Sequence, residues 1–192
     1  MTTILVTGFG PFPGAPVNPT GPLVKRLARA RPGRAKIVTH IFPTTYAAVD
    51  RDLPKLIARH RPDALLMFGL ANKATTLRIE TRARNALSRL KDAEGYVPGL
   101  RTVAPGRAPA LPLPTPGRLL LAAVRAAHIP VVMSNDAGDY LCNYLCWRAV
   151  LAARRTSGPR LAAFIHVPPA QNPDALARAG RAMLKTIAAM LR

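Results

Sequence analysis

The densest chemistry in this 192-residue chain lies in Ser134-Asn-Asp-Ala-Gly-Asp-Tyr-Leu-Cys142-Asn-Tyr-Leu-Cys146-Trp147. An apolar run, Ile129 to Met133, precedes it, and a helical pattern from Tyr140 to Arg155 follows. The order is strand, polar turn with Gly138, then helix with Asp139 as its cap, which puts Cys142 in the first helical turn. Unpaired N–H groups and the helix dipole favour a thiolate there, the form in which cysteine is a nucleophile. Cys146 lies one turn deeper and reads as a small buried apolar residue. Four residues apart on a helix, the two sulfurs share a face without pointing at each other, which disfavours a bridge. No ligand-spaced His or Cys surrounds them, so zinc is not expected.

A thiol nucleophile needs a base, and the base needs an orienting group. Of the four histidines, His40 falls within a strand pattern, and His60 and His128 end helices. His166, in Phe164-Ile-His-Val-Pro168, closes a buried strand at the sheet edge expected for Cys142. The chain has two glutamates, Glu80 and Glu94, and Glu80 ends the alternating run Thr76-Leu-Arg-Ile-Glu80. Cys142, His166 and Glu80 therefore form a workable triad of nucleophile, base and orienting carboxylate.

These groups need a sheet to bring them together. Strand patterns cover 4–7, 36–42, 64–68, 76–80, 129–133 and 161–167. Helical patterns begin at Thr20, at Asp52-Leu-Pro54, at Gly117 and at Tyr140, and from Pro173 with Asn172 as cap. Residues 91–116, rich in Pro and Gly, read as a long irregular loop. The alternation predicts one α/β domain over 1–192: a three-layer α/β/α sandwich with a mostly parallel sheet.

After the first strand comes Gly8-Phe-Gly-Pro-Phe-Pro-Gly14. A dinucleotide fingerprint needs a third glycine three residues after the second, where Pro13 stands; Pro11 removes an N–H, and no acid ends the next strand. What remains is a stiff loop at the ligand-binding edge of an open sheet, carrying Phe9 and Phe12 toward a small, flat, apolar group.

The net charge of +19 comes from 28 Lys and Arg against 9 Asp and Glu, with the arginines scattered along the chain and no compact basic run. That pattern sets nucleic acid aside as a partner. No apolar run reaches the ~20 residues of a membrane span, and no basic leader precedes the first apolar stretch. A cytoplasmic location is expected.

The stretches ILVTGFGPFPG with Asn18-Pro19, FGLA at 68–71, Ile79-Glu80-x-x-Ala83-x-Asn85, SNDAGDYLCN and FIHVP, in this order, resemble the pyroglutamyl peptidase I family of cysteine peptidases. The resemblance implies an α/β fold and removal of N-terminal pyroglutamate (5-oxoproline) from peptides. It also implies a homo-oligomer, tetramer or dimer, with no metal or organic cofactor. Cys142, His166 and Glu80 match the family triad, and Phe9 and Phe12 the ring-holding aromatics. Asn18 and the main chain of Leu70 match the groups that read the lactam, Tyr140 and Leu141 further pocket wall. Arg89 matches a family arginine if one residue is deleted. Ala86-Leu-Ser-Arg-Leu-Lys-Asp-Ala-Glu-Gly95 replaces an acidic, proline-bearing stretch, and Pro169 replaces a bulkier residue. The alternatives are an amidase acting on another cyclic or N-blocked amide, and a non-catalytic binding protein on the same fold.

Overall fold

The computed structural model describes residues 2–12 and 14–192; Pro13, invoked above against a nucleotide loop, lies outside them. The elements run β1 (Thr3–Phe9), α1 (Thr20–Leu27), β2 (Lys36–Phe42), α2 (Tyr46–His60), β3 (Ala64–Leu70), β4 (Leu77–Glu80), β5 (Arg82–Arg84), β6 (Ala110–Pro112), α3 (Gly117–Ala126), β7 (Val131–Ser134), α4 (Leu141–Ala153), β8 (Leu161–Val167) and α5 (Pro173–Met190). Six strands form one sheet in the order β2-β1-β3-β8-β4-β7. β2, β1, β3 and β8 run parallel, while β4 and β7 run parallel to each other and antiparallel to β8.

The sheet is covered on both faces, because its central strands are apolar on both sides. Along β1, Ile4 and Val6 face one core with α1, α3 and α5, while Leu5 and Phe9 face another with α2 and α4. At Gly180 of α5 a Cβ would lie 2.7 Å from Leu27 Cδ1, so the absence of a side chain there lets α5 press onto α1.

The loop after β1 is built by hydrogen bonds, and its glycines serve close packing. A Cβ on Gly8 would meet the Thr20 carbonyl oxygen at 2.9 Å. Thr20 Oγ1 accepts from Phe9 N at 3.0 Å and lies 3.1 Å from Phe9 O. Thr20, expected as a cap, is thus the first residue of α1 and pins it to the end of β1, while Pro19 stands at the cap without a side-chain bond. Gly14 takes a left-handed φ of 91° in the turn closed by the Phe12–Ala15 bridge.

Three further expectations are corrected. The second helix starts at Tyr46, not Asp52: Thr45 Oγ1 accepts from Ala48 N at 3.1 Å, and Pro54 sits inside the helix. A remote residue completes that start, since Asp92 Oδ2 accepts from Tyr46 N at 3.1 Å. The 91–116 segment is not wholly irregular, because residues 110–112 pair antiparallel with 82–84 as a small ribbon. Leu111 and Leu113 are buried in its core-facing side, and Pro112 at the strand end forfeits no needed donor. Finally, α4 is not capped by Asp139: Tyr140 occupies the cap in extended conformation, and no side chain bonds to the helix start.

Candidate active site

His166 is the last residue but one of β8, and its Nδ1 lies 2.8 Å from Glu80 Oε1. β4 is antiparallel to β8, with Ile79 opposite Ile165, so Glu80 stands beside Phe164 and reaches His166 diagonally. Glu80 ends its strand as expected, and the antiparallel course of β4 sets it beside the interior of β8. There its side chain is fully buried, and His166 keeps 8% of its side-chain surface.

Cys142 arrives from the face of the sheet. β7 ends at Ser134 level with Glu80, and residues 135–140 carry the chain to the start of α4. That loop is fixed by local bonds. Ser134 O accepts from Thr81 N at 2.8 Å and Thr81 Oγ1 at 2.9 Å. Asp136 Oδ1 accepts from Gly138 N at 3.0 Å, and Gly138 has φ 81°. The first backbone bond of α4 runs from Tyr144 N to Tyr140 O, 2.9 Å, so the amides of Leu141, Cys142 and Asn143 are free of protein acceptors among the described residues. Spare amides at a helix start suit a developing oxyanion.

Cys142 and His166 form one electrostatic unit. Burial opposes charge on the imidazole, but the Cys142 sulfur's charge and hydrogen bond, joined by those of Glu80, outweigh it and raise His166 from 6.5 to about 9. Cys146, fully buried one turn below, is pushed well above the usual thiol range by desolvation and by the Cys142 charge. The structure thus separates the two thiols, one half-buried beside the imidazole and one in the core.

This constellation sits beside the switch point of the sheet. The chain turns from β1 to β2 on one side and then to β3 on the other, and ligands of open α/β sheets bind at such a crevice. β1 pairs with β2 through Phe9–Phe42 but with β3 only as far as Thr7–Met67, so β1 and β3 part toward the site. Ala71 N bonds to Val167 O; by alternation Leu70 turns its N–H and C=O to the opposite, opened side.

A sequence profile of the family described as pyroglutamyl peptidase matches residues 2–185. The chain belongs to the pyroglutamyl peptidase family. It is 37% identical over 166 residues to the pyrrolidone-carboxylate peptidase of Thermococcus kodakarensis, spanning 86% of this chain and 80% of that one. It is 34% identical to the pyrrolidone-carboxylate peptidase of Streptococcus suis, over 86% and 77%. The fold superposes on pyrrolidone carboxyl peptidase from Thermococcus litoralis with a TM-score of 0.94 at 26% identity, covering 100% and 95%. Against Bacillus amyloliquefaciens pyroglutamyl peptidase I the TM-score is 0.89 at 28% identity, covering 98% of each chain. A cysteine-type hydrolase on a mostly parallel α/β scaffold is what family and fold support.

The other residues that resemble the pyroglutamyl peptidase pocket take distinct places. Phe9 is a core residue, 2% exposed, with its ring 5.9 Å from Phe42. Phe12 is half-buried, 6.4 Å from the Tyr140 ring. Tyr140 is half-buried too, and its hydroxyl donates to Lys91 O at 2.9 Å. Leu141 is buried. Asn18 works within the loop: its Oδ1 accepts from Thr20 N at 3.1 Å and Thr20 Oγ1 at 2.8 Å, and its Nδ2 donates to Gly10 O at 3.0 Å. Among the described residues the second N–H of the amide meets no acceptor. Arg89 is exposed, two residues before the carbonyl that holds Tyr140.

Two residues at the site escaped the sequence reading. Gly69, opposite His166 in the β3–β8 register, leaves room for the sulfur: a Cβ there would lie 2.5 Å from Cys142 Sγ. Its signal was present in FGLA, a glycine ending an otherwise apolar strand. Asp92, 3% exposed, accepts from Tyr46 N, from Glu94 N at 3.0 Å and from Tyr96 N at 2.9 Å, binding the 91–96 turn to α2. Nothing in the sequence around Asp92 signals that role, which depends on α2. His40 lies on β2 against Asp52, 3.5 Å away, and takes no part in the triad. No group of three His, Cys, Asp or Glu among the described residues is gathered to hold a metal.

Proposed function

We propose that this protein is a cysteine peptidase that removes N-terminal pyroglutamate from peptides, with Cys142 as nucleophile, His166 as base and acid, and Glu80 as the carboxylate that orients His166. The observation that carries the reading is the aligned set Glu80–His166–Cys142 beside the β1/β3 crevice, in a chain of this family. Glu80 Oε1 accepts from His166 Nδ1–H and leaves the other ring nitrogen to the thiol. The sulfur attacks the pyroglutamyl carbonyl carbon, and the spare amides opening α4 hold the oxyanion. Imidazolium then protonates the departing amine, leaving a thioester. Water, deprotonated by His166, attacks that thioester and frees 5-oxoproline, returning the proton to the Cys–His pair.

The lactam is read by few groups in an apolar slot. Phe9, Leu141, Phe12 and Tyr140 supply its walls, Phe9 from the core beneath and Phe12 and Tyr140 from the rim. The second Asn18 amide N–H and the Leu70 main chain supply the hydrogen bonds. A site with committed lactam partners rejects substrates that leave them unpaired. Arg89 stands at the rim of the same loop. The protein acts in the cytoplasm and self-associates, for which the apolar surface exposed by Leu90, Tyr96, Val97 and Leu100 gives a basis; sedimentation velocity measures that state.

The test is release of a fluorophore from a pyroglutamyl amide, run beside Cys142→Ala and beside a prolyl amide lacking the lactam carbonyl. The expected result is turnover of the pyroglutamyl amide alone, abolished in Cys142→Ala. Turnover of another blocked amide in its place overturns the substrate assignment, and residual activity in Cys142→Ala equal to wild type overturns the nucleophile.

A further inference from the structure

The residue after Cys142 commits both ends of its side-chain amide to one backbone segment. Asn143 is fully buried, and its Oδ1 accepts from Arg84 N at 2.7 Å. Its Nδ2 donates to Arg84 O at 2.8 Å and to Ala86 O at 3.1 Å. Every partner is backbone of the segment that follows Glu80, which ends β4 four residues before Arg84. One amide therefore joins the first turn of the helix bearing Cys142 to the strand leading out of the residue that orients His166.

The same segment is tied at a second point, where Ser134 O receives both Thr81 bonds. Residues 135–142 are thus bracketed, with the Thr81–Ser134 bonds before them and the Asn143 bonds after. The tie also extends outward. Asn85, between the two residues Asn143 holds, donates through Nδ2 to Ala104 O at 2.8 Å and accepts through Oδ1 from Ala104 N at 2.9 Å. Asn85 N bonds to Pro109 O at 2.8 Å. Two asparagines in series link the nucleophile's helix to the Pro- and Gly-rich segment that packs Val103 and Ala104 onto the same core as Cys142. An amide suits this task because it donates and accepts at once and so fixes both the height and the tilt of the facing strand.

We propose that Asn143 is a positioning residue: its side chain sets the distance between the Cys142 thiol and the Glu80–His166 pair by clamping α4 to the backbone after β4. The proposal rests on the triad reading above but predicts a reactivity that needs no peptide substrate. Asn143→Leu keeps the volume and removes all three bonds. Asn143→Asp keeps the acceptor for Arg84 N and turns an oxygen toward the carbonyls of Arg84 and Ala86.

Two readouts are taken on each folded variant: kcat and KM on a pyroglutamyl amide, and the rate of Cys142 alkylation by iodoacetamide from pH 5 to 10. Both variants are expected to lose at least tenfold in kcat with KM within about twofold, and to show a displaced pH profile of alkylation. A folded variant with wild-type kcat and a wild-type alkylation profile overturns the proposal, even if its melting temperature has fallen. Failure of both variants to fold also overturns it, assigning Asn143 to stability alone. Should the wild type not cleave the pyroglutamyl amide, the functional reading fails, while the alkylation profiles still decide the role of Asn143.

Discussion

Gly69 and Cys142 share one space: a Cβ built on Gly69 would lie 2.5 Å from the Cys142 sulfur and 2.6 Å from Phe164 Cζ. The Cys142 thiol therefore rests against bare backbone of β3, at the residue opposite His166 in the register. Gly69→Ala should displace the sulfur from His166 and reduce kcat/KM by at least tenfold, at a stability cost of about 1–3 kcal/mol from overpacking. Steady-state kinetics and a thermal melt check both; wild-type turnover in a folded Gly69→Ala protein would falsify the contact's role.

Glu80→Gln keeps the shape of the carboxylate and removes its charge from a fully buried position. Orientation of the imidazole weakens, and kcat should fall on the order of a hundredfold or more with the fold retained. Comparison with His166→Ala by active-site titration and circular dichroism separates lost chemistry from lost structure. Near-native kcat in Glu80→Gln argues against its orienting role.

The His166 imidazole is raised from 6.5 to about 9, so its charged form is favoured in the folded protein. Stability from that preference is complete below pH ~6.5 and drains away as pH rises through about 9. The proton given to the leaving amine is lost over the same range, so kcat/KM should show an alkaline limb with an apparent pKa near 9 belonging to the Cys–His pair. In Cys142→Ala, the charge and hydrogen bond of the sulfur vanish and only those of Glu80 still raise the ring, so an NMR titration should find His166 below its wild-type value. An unchanged ring pKa contradicts the pairing.

The two loop phenylalanines divide their labour. Phe9→Ala empties a core site against Phe42 and should cost about 3–5 kcal/mol. Phe12→Ala removes a half-buried ring near Tyr140, so KM for a pyroglutamyl amide should rise several-fold with the melting temperature little changed. Denaturant unfolding and kinetics on the pair test it; a stability loss as large in Phe12→Ala as in Phe9→Ala would overturn the division.

Asp92→Ala deprives Tyr46 N, Glu94 N and Tyr96 N of their buried acceptor. A loss of about 1–3 kcal/mol is expected for each donor left without water or protein, and the turn that holds Tyr140 through Lys91 O loosens. Hydrogen exchange at residues 90–96 should speed up and KM should rise, while iodoacetamide still alkylates Cys142. Unchanged exchange there rules out the anchoring role.

Sequence alone carried the α/β class and most strand positions, and it singled out Cys142, His166 and Glu80 as candidates, because these depend on chemical type and local period. Asn172, for example, caps α5 by accepting from Asp174 N at 2.8 Å and Ala175 N at 3.1 Å, a bond made within four residues. What only the tertiary structure decided involves partners far apart in the chain. The start of α2 depends on Asp92, 46 residues on. β6 forms because Arg82–Arg84 offer it an edge. Glu80 reaches His166 across a strand whose antiparallel course no local pattern reveals. Gly69 and Asn143 acquire meaning only when the sulfur and the strand after Glu80 are brought against them. Periodicity reports which face of an element is buried; which residue waits on the other side is set by packing of elements distant in sequence.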